Sequence, residues 1–276
     1  MSTLTISEGV ITTVTLNRPD VRNAFNEALI AELTSWAAGV FAGGDTRVAV
    51  LQGAGSVFCA GADVQWMAKM ADYSREENLA DARRAAALYQ ALDNLPVPLI
   101  GRIHGAALGG GAGLAAVCDV AVAADDAQFG FTEVRLGIVP AMISPYVVRK
   151  IGLSAARELC VNGARFSAAR AREIGLVQDV VPAAGLDSAV ERHAQQFLKA
   201  APSAIALTKR LLRDVYGRRP ADVAALTVDA IASQRASEDG QEGLHAFLEK
   251  RTASWADLKA QAPGPASAET PPRPDK

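Results

Sequence analysis

The sequence has no excess of basic residues. Its 28 Lys and Arg stand against 30 Asp and Glu, a formal charge of −2, so nothing in its charge balance points to a nucleic-acid surface, and an RNA-binding role is the least supported reading. Cysteine is scarce as well: Cys59, Cys118 and Cys160 are odd in number, far apart and set in apolar contexts, which fits reduced core residues rather than a disulfide framework. The three histidines, His104, His193 and His245, have no metal-ligand spacing with one another or with the cysteines, so no metal site is expected. No segment offers the roughly 18 uninterrupted apolar residues of a membrane span, and MSTLTISEGV lacks the basic start and apolar stretch of a secretory leader. The expectation is a soluble, cytoplasmic protein with no membrane partner.

Half of the 276 residues are apolar, enough for one large domain carrying a helical appendage. Residues 2–17 alternate around Glu8-Gly9 as a β-hairpin. A helix from about Asn26 to Ala42 shows an apolar stripe of Leu29, Ile30, Leu33, Val40 and Phe41. A strand at Arg47–Gln52 follows. Ser74-Arg75-Glu76-Glu77 then reads as a capping box opening a helix that runs to Leu95, before Pro96. Strands are expected at Pro98–His104 and Asp119–Ala124, with a short extended piece at Phe129–Phe131. Helical segments follow at 143–151, 154–162 and 167–174, the last stopping at Gly175 before a strand at 176–181. Four more helices are expected near 186–200, 202–215, 220–237 and 240–258. Residues 259–276, rich in Pro, Ala and charge, read as a disordered tail.

Two stretches carry chemistry. In IHGAALGGGAGLAAVCD (Ile103–Asp119) an apolar strand runs into three glycines, Gly109 to Gly111, and then a short Ala/Leu-rich helix. Glycines let backbone N–H groups approach a ligand without interference from a Cβ, and a helix start adds unsatisfied donors and partial positive potential. In VFCAGADVQWM (Val57–Met67) small residues Ala60, Gly61 and Ala62 likewise follow a buried strand. Two such turns suit an oxyanion hole whose donors come from separate segments. The alternative is that the glycines only let a helix pack against a sheet.

FCAGAD, then GAALGGGAGLAAVCD, then FGFTEVRLGIVP resemble, in order and spacing, the crotonase or enoyl-CoA hydratase/isomerase superfamily. The resemblance covers roughly Leu4 to Trp255. It implies an α/β fold in which ββα units stack into a spiral (residues 1–200), followed by a C-terminal helical trimerisation region (201–258). It implies an acyl-CoA thioester as substrate, with no separate cofactor because coenzyme A is part of that substrate, and a homotrimer or dimer of trimers.

Carried onto this sequence, the family's oxyanion donors fall on Ala62 and Gly110, and one of its two glutamates on Glu133, whose apolar neighbours would raise its pKa toward the range of general acid–base work. Arg22 would lie near the CoA phosphates. Ala24, Ala60, Asp63, Val64 and Trp66 would contact substrate, Trp66 with Met67 and Met70 walling an acyl pocket. Phe247 and Lys250 would contact CoA bound to a neighbouring subunit. The second glutamate aligns with Gly113, which, having no side chain, would leave room for a substrate carboxylate and the attacking water. GADVQWM, TEVRLG, PAMISPYVVRKIG and SEDGQEGLHAFLEKRTASW are similar to bacterial 3-methylglutaconyl-CoA hydratases of leucine breakdown and their longer-chain isohexenylglutaconyl relatives. Hydration of such an enoyl-CoA, isomerisation of a 3-enoyl-CoA by a single glutamate, and non-catalytic acyl-CoA binding are the competing readings, and a binder has no need of Glu133.

Overall fold

The computed structural model describes residues 2–41 and 43–257; the tail expected at 259–276 lies outside them. The hairpin forms as expected, with β1 (Leu4–Ser7) antiparallel to β2 (Ile11–Leu16). α1 (Glu27–Phe41) buries Leu29, Ile30, Leu33 and Ala37 at helical spacing. Phe41, expected on that stripe, ends the helix and is 50% exposed. In β3 (Val48–Gly53) Val48 to Leu51 are all buried, the signature of a strand covered on both faces. α2 (Val64–Ala71) was not foreseen as a helix, because eight residues carry too little periodicity. α3 (Arg75–Asn94) opens on the expected box: Glu77 N–H donates to Ser74 Oγ (3.2 Å) and Ser74 N–H to Glu77 Oε2 (2.8 Å).

Two passes of strand, strand and helix follow. The first comprises β4 (Leu99–Ile103), β5 (Ala106–Leu108) and α4 (Gly110–Val117). The second comprises β6 (Val120–Ala124), β7 (Gln128–Gly130), a single 3-10 turn at Glu133–Leu136, and α5 (Ser144–Asn162). Gly152, with φ 74° and ψ 162°, breaks α5 where two helices were expected. Then come β8 (Arg165–Ser167), α6 (Ala168–Glu173), closed by Gly175 at φ 81°, β9 (Asp179–Val181) and α7 (Leu186–Leu198). One sheet has the order β1-β2-β3-β4-β6-β9 and is parallel from β2 onward; the other has the order β5-β7-β8. Short β5 and β7 split off from their longer predecessors, so each pass feeds both sheets. α4 is apolar all round and buried from Gly111 to Val117, as a helix with no polar face must be.

The C-terminal region is helical: α8 (Pro202–Val215), α9 (Pro220–Ala236) and α10 (Glu238–Leu248). α8 is tied to the core by Lys209, which donates to Asp119 Oδ2 (2.5 Å) and the Val97 carbonyl (2.8 Å), and by Arg213, which donates to the Asp93 carbonyl (2.8 Å). The last helix ends ten residues before the expected 258. Arg251 clamps both oxygens of Glu242 at 2.7 Å, and the Trp255 ring lies over Gly243, so the chain doubles back along α10 instead of extending it. Among the described residues no helix is long and apolar enough to cross a membrane.

Candidate active site

The two glycine-containing turns meet. Cys59 N–H donates to the Ala106 carbonyl (3.0 Å) and Leu108 N–H to the Cys59 carbonyl (3.0 Å), joining the Val57–Met67 segment to β5. On its other side that segment pairs with Phe25: Phe25 N–H donates to Gly61 O (2.7 Å) and Asp63 N–H to Phe25 O (2.9 Å). Groups alternate along an extended chain, so when Gly61 and Asp63 bond toward Phe25 the Ala62 N–H faces the opposite way. It has no acceptor among the described residues. The same holds for Gly110 N–H, the first residue of α4, where no intrahelical acceptor exists. Gly61 (φ 99°) and Gly109 (φ 51°) hold backbone conformations that other residues rarely adopt, and these aim the two following N–H groups.

Both donors border one cavity of about 860 Å³, including its open mouth, and Glu133 and Trp66 line it too. Glu133 starts the 3-10 turn after β7. Its Oε1 stands 3.4 Å from where a Gly109 Cβ would be, and its Oε2 is buried with no hydrogen-bond partner. Burial pushes the carboxyl above its ordinary value, and a backbone hydrogen bond only partly opposes this. Tyr89, buried on α3, donates to the Gly110 carbonyl (2.9 Å) and so braces the first turn of α4. Burial first, then the nearby acidic groups, keep its hydroxyl protonated. Cys59, behind the turn, is pushed up to about 12 by burial and is inert as a nucleophile.

The structure thus gathers Ala62, Gly110, Glu133 and Trp66, and Met70 joins them while Met67 does not. Other expected residues lie elsewhere. Asp63 is 6% exposed and caps α2 through Gln65 N–H (2.8 Å), while Arg18 Nη2 pairs with its other oxygen at 2.7 Å. Burial works to raise its pKa, but these hydrogen bonds and the guanidinium charge hold it below the ordinary aspartate value. Its carboxylate is committed to the fold. Ala24 is buried and its carbonyl accepts from Arg18; Ala60 N–H donates to Arg22 O (3.0 Å); Arg22 and Val64 are exposed beside the turn. Phe247, 82% exposed, and Lys250, at φ 56°, sit at the end of α10.

Gly113 requires correction. It was expected to open space for a substrate carboxylate and water, yet it is buried and does not line the cavity. A Cβ there would lie 2.3 Å from Ile143 Cγ2 and 3.1 Å from Tyr89 Cε1, so protein fills the volume. Nor does the wall show the cation expected to hold that carboxylate: among the described residues no Lys, Arg or His lines the cavity.

Sequence reasoning passed over Arg18, Tyr89, Asp81 and the wall from Ile138 to Ile143. One signal was present. Asp81, Ala85, Leu88 and Tyr89 share one buried face of α3, and an aspartate on such a stripe stands out as a functional candidate.

Comparisons with known proteins place the chain among relatives of one family. The family model described as enoyl-CoA hydratase/isomerase matches residues 5–259. The chain is 38% identical to an enoyl-CoA hydratase of known structure from Shewanella pealeana (TM-score 0.88, covering 92% of this chain and 96% of that one). It is likewise 38% identical to AtuE from Pseudomonas aeruginosa (TM-score 0.88, 92% and 99%). It is 34% identical to the 2,3-dehydroadipyl-CoA hydratase of Escherichia coli over 87% of this chain and 92% of that protein.

Proposed function

The chain belongs to the enoyl-CoA hydratase/isomerase family, and on that premise we propose that it hydrates the double bond of an enoyl-CoA thioester, using Glu133 as its one proton-transfer group. The observation that carries this reading is the convergence of two unpartnered N–H groups, on Ala62 and Gly110, with a half-buried carboxyl on one cavity. The thioester oxygen accepts from both N–H groups, which stabilises the negative charge that builds on it as the β-carbon is attacked. Glu133 accepts a proton from water as its oxygen bonds to C3, and the protonated carboxyl returns that proton to C2. The sum is one water added and Glu133 regenerated.

The filled space beside Gly113 favours one alternative. With a single carboxylate at the thioester end, Glu133 removes a proton from C2 of a 3-enoyl thioester and returns it to C4, giving the 2-enoyl isomer. Incubating the enzyme with 2-enoyl and 3-enoyl thioesters and identifying the products tests both: 3-hydroxyacyl product from the 2-enoyl substrate supports hydration, whereas 2-enoyl product alone, from the 3-enoyl substrate, assigns isomerisation. No turnover of either, with acyl-CoA still bound, leaves a binder.

The narrower reading, a 3-methylglutaconyl-type substrate in leucine breakdown, is supported by sequence motifs and finds no support in the cavity, whose lining has no cation for the distal carboxylate. Assembly as a trimer or dimer of trimers, with Phe247 and Lys250 reaching a neighbour's CoA, is supported by the exposure of Phe247, Leu248 and Leu244 on α10.

A further inference from the structure

The acyl cavity is polar at both ends, and its far end differs from its reacting end. Tyr89 marks the reacting end through its bond to the Gly110 carbonyl. Asp81, on the same face of α3, lies eight residues earlier, or about 12 Å along the helix axis at 1.5 Å per residue. It is 5% exposed and lines the cavity. Its Oδ1 accepts from Arg84 Nη2 (2.9 Å), whose side chain is half exposed on the outer side of the helix. Its Oδ2 accepts nothing from the described residues and is not among the fully covered atoms, which leaves an accessible, unpartnered oxygen on a residue that lines the cavity. Asn78, one turn earlier, spends its amide N–H groups on the carbonyls of Tyr73 and Ser74, leaving Oδ1 as a second acceptor. Trp66, on the facing wall, keeps its Nε1–H buried without a hydrogen-bond partner. The first turns of α3 therefore present acceptors alone, in an otherwise apolar wall.

Building on the acyl-CoA reading of this site, we infer that Asp81 is a specificity residue that reads the far end of the acyl chain. It accepts a hydrogen bond from a hydroxyl carried near that end and repels a carboxylate. A negative group on the ligand would stand beside a like charge that Arg84, half exposed and bonded to the other oxygen, offsets only in part. A hydroxyl would instead give Oδ2 a donor once the bound acyl chain has displaced water from it. The substrate class is thus a medium-chain enoyl thioester that ends in alkyl or, better, carries a distal hydroxyl. Thioesters whose distal carboxylate reaches Asp81 are disfavoured.

The test uses three thioesters of equal chain length, ending in methyl, hydroxymethyl and carboxylate, as 2-enoyl substrates for kcat/KM and as saturated analogues for Kd by calorimetry. The wild type is expected to favour the hydroxyl form over the alkyl form severalfold and to disfavour the carboxylate form tenfold or more. Asp81→Asn should relax the discrimination against carboxylate by about tenfold, whereas Arg84→Gln, which strips Asp81 of its neutralising partner, should sharpen it. A merely structural Asp81 would not move the ratios in opposite directions. Equal handling of the alkyl and carboxylate forms by the wild type, or ratios unmoved by both substitutions, overturns the inference. Absence of turnover with intact discrimination in Kd would sink the hydratase reading while leaving the role of Asp81 standing.

Discussion

The Cβ that Gly113 does not have would lie 2.3 Å from Cγ2 of Ile143 and 2.9 Å from its Cβ. α4 and α5 touch at this point, and the glycine is there because the isoleucine occupies its side-chain space. Gly113→Ala should therefore destabilise the protein by about 1–3 kcal/mol through overpacking. Paired with Ile143→Ala it should cost less than the two single changes added together, since each relieves the other. Thermal unfolding of the three variants checks this, and strict additivity would contradict the packing argument. Gly113→Glu is expected to disrupt the core rather than restore a second catalytic carboxylate.

Glu133→Gln should lower kcat by ~10² or more, the range general acid–base catalysis supplies. It should also raise Tm, because an unpartnered buried carboxylate oxygen is replaced by a neutral amide. The sign with pH follows from the raised carboxyl. The folded state favours the protonated form, so ionisation destabilises the wild type as pH climbs above the unfolded value of 4.5. The Tm advantage of the variant should accordingly grow from pH 4.5 upward. A near wild-type kcat would remove Glu133 from the mechanism.

At Gly110 a Cβ would stand 2.8 Å from the Tyr89 hydroxyl and 3.0 Å from Phe25 Cε2. Gly110→Val should displace the N–H and cost ~10²–10³ in kcat/KM, as expected for loss of an oxyanion donor. Tyr89→Phe removes the brace and keeps the donor, so it should cost about 1 kcal/mol of stability and far less activity. Parallel kinetics on both variants separate the donor from its support; an equal loss in the two would refute the distinction.

Arg18→Ala leaves Asp63 buried without its cation and should destabilise by about 3 kcal/mol. In the wild type the depressed Asp63 carboxyl contributes stability that is present above the ordinary aspartate value of 3.8 and is lost as pH falls through the folded value. Without Arg18, burial is opposed only by the backbone hydrogen bonds of the α2 cap, so the Asp63 carboxyl rises from its wild-type value. The acid unfolding midpoint of the variant should shift to higher pH, and an unmoved midpoint would show that the pair contributes nothing.

Self-association is expected to use α10. Phe247→Asp should dissociate the assembly in sedimentation velocity while leaving the monomer's circular dichroism unchanged. A wild type that sediments as an active monomer would contradict the proposal.

Local signals in the chain determined much of this protein. The alternation of the hairpin, the Ser74–Glu77 box, Gly175 closing α6 and the glycine run opening α4 each act over a few residues, so their outcome is readable without knowledge of the rest. The candidate donors Ala62 and Gly110 and the carboxylate Glu133 came from the resemblance of their short motifs to a family, and the structure brings all three to one cavity. Tertiary structure alone decided what stands opposite each of them. Gly113 looked like open volume because its occupant, Ile143, comes thirty positions later on another helix. The Asp63 carboxylate looked available because its partner, Arg18, lies forty-five residues upstream. Asp81 looked like one more charge on a polar helix until α2 and the Ile138–Ile143 wall closed over it. Sequence spacing reports which groups share a turn or a face, whereas packing between distant segments determines whether the space in front of them holds a ligand or another side chain.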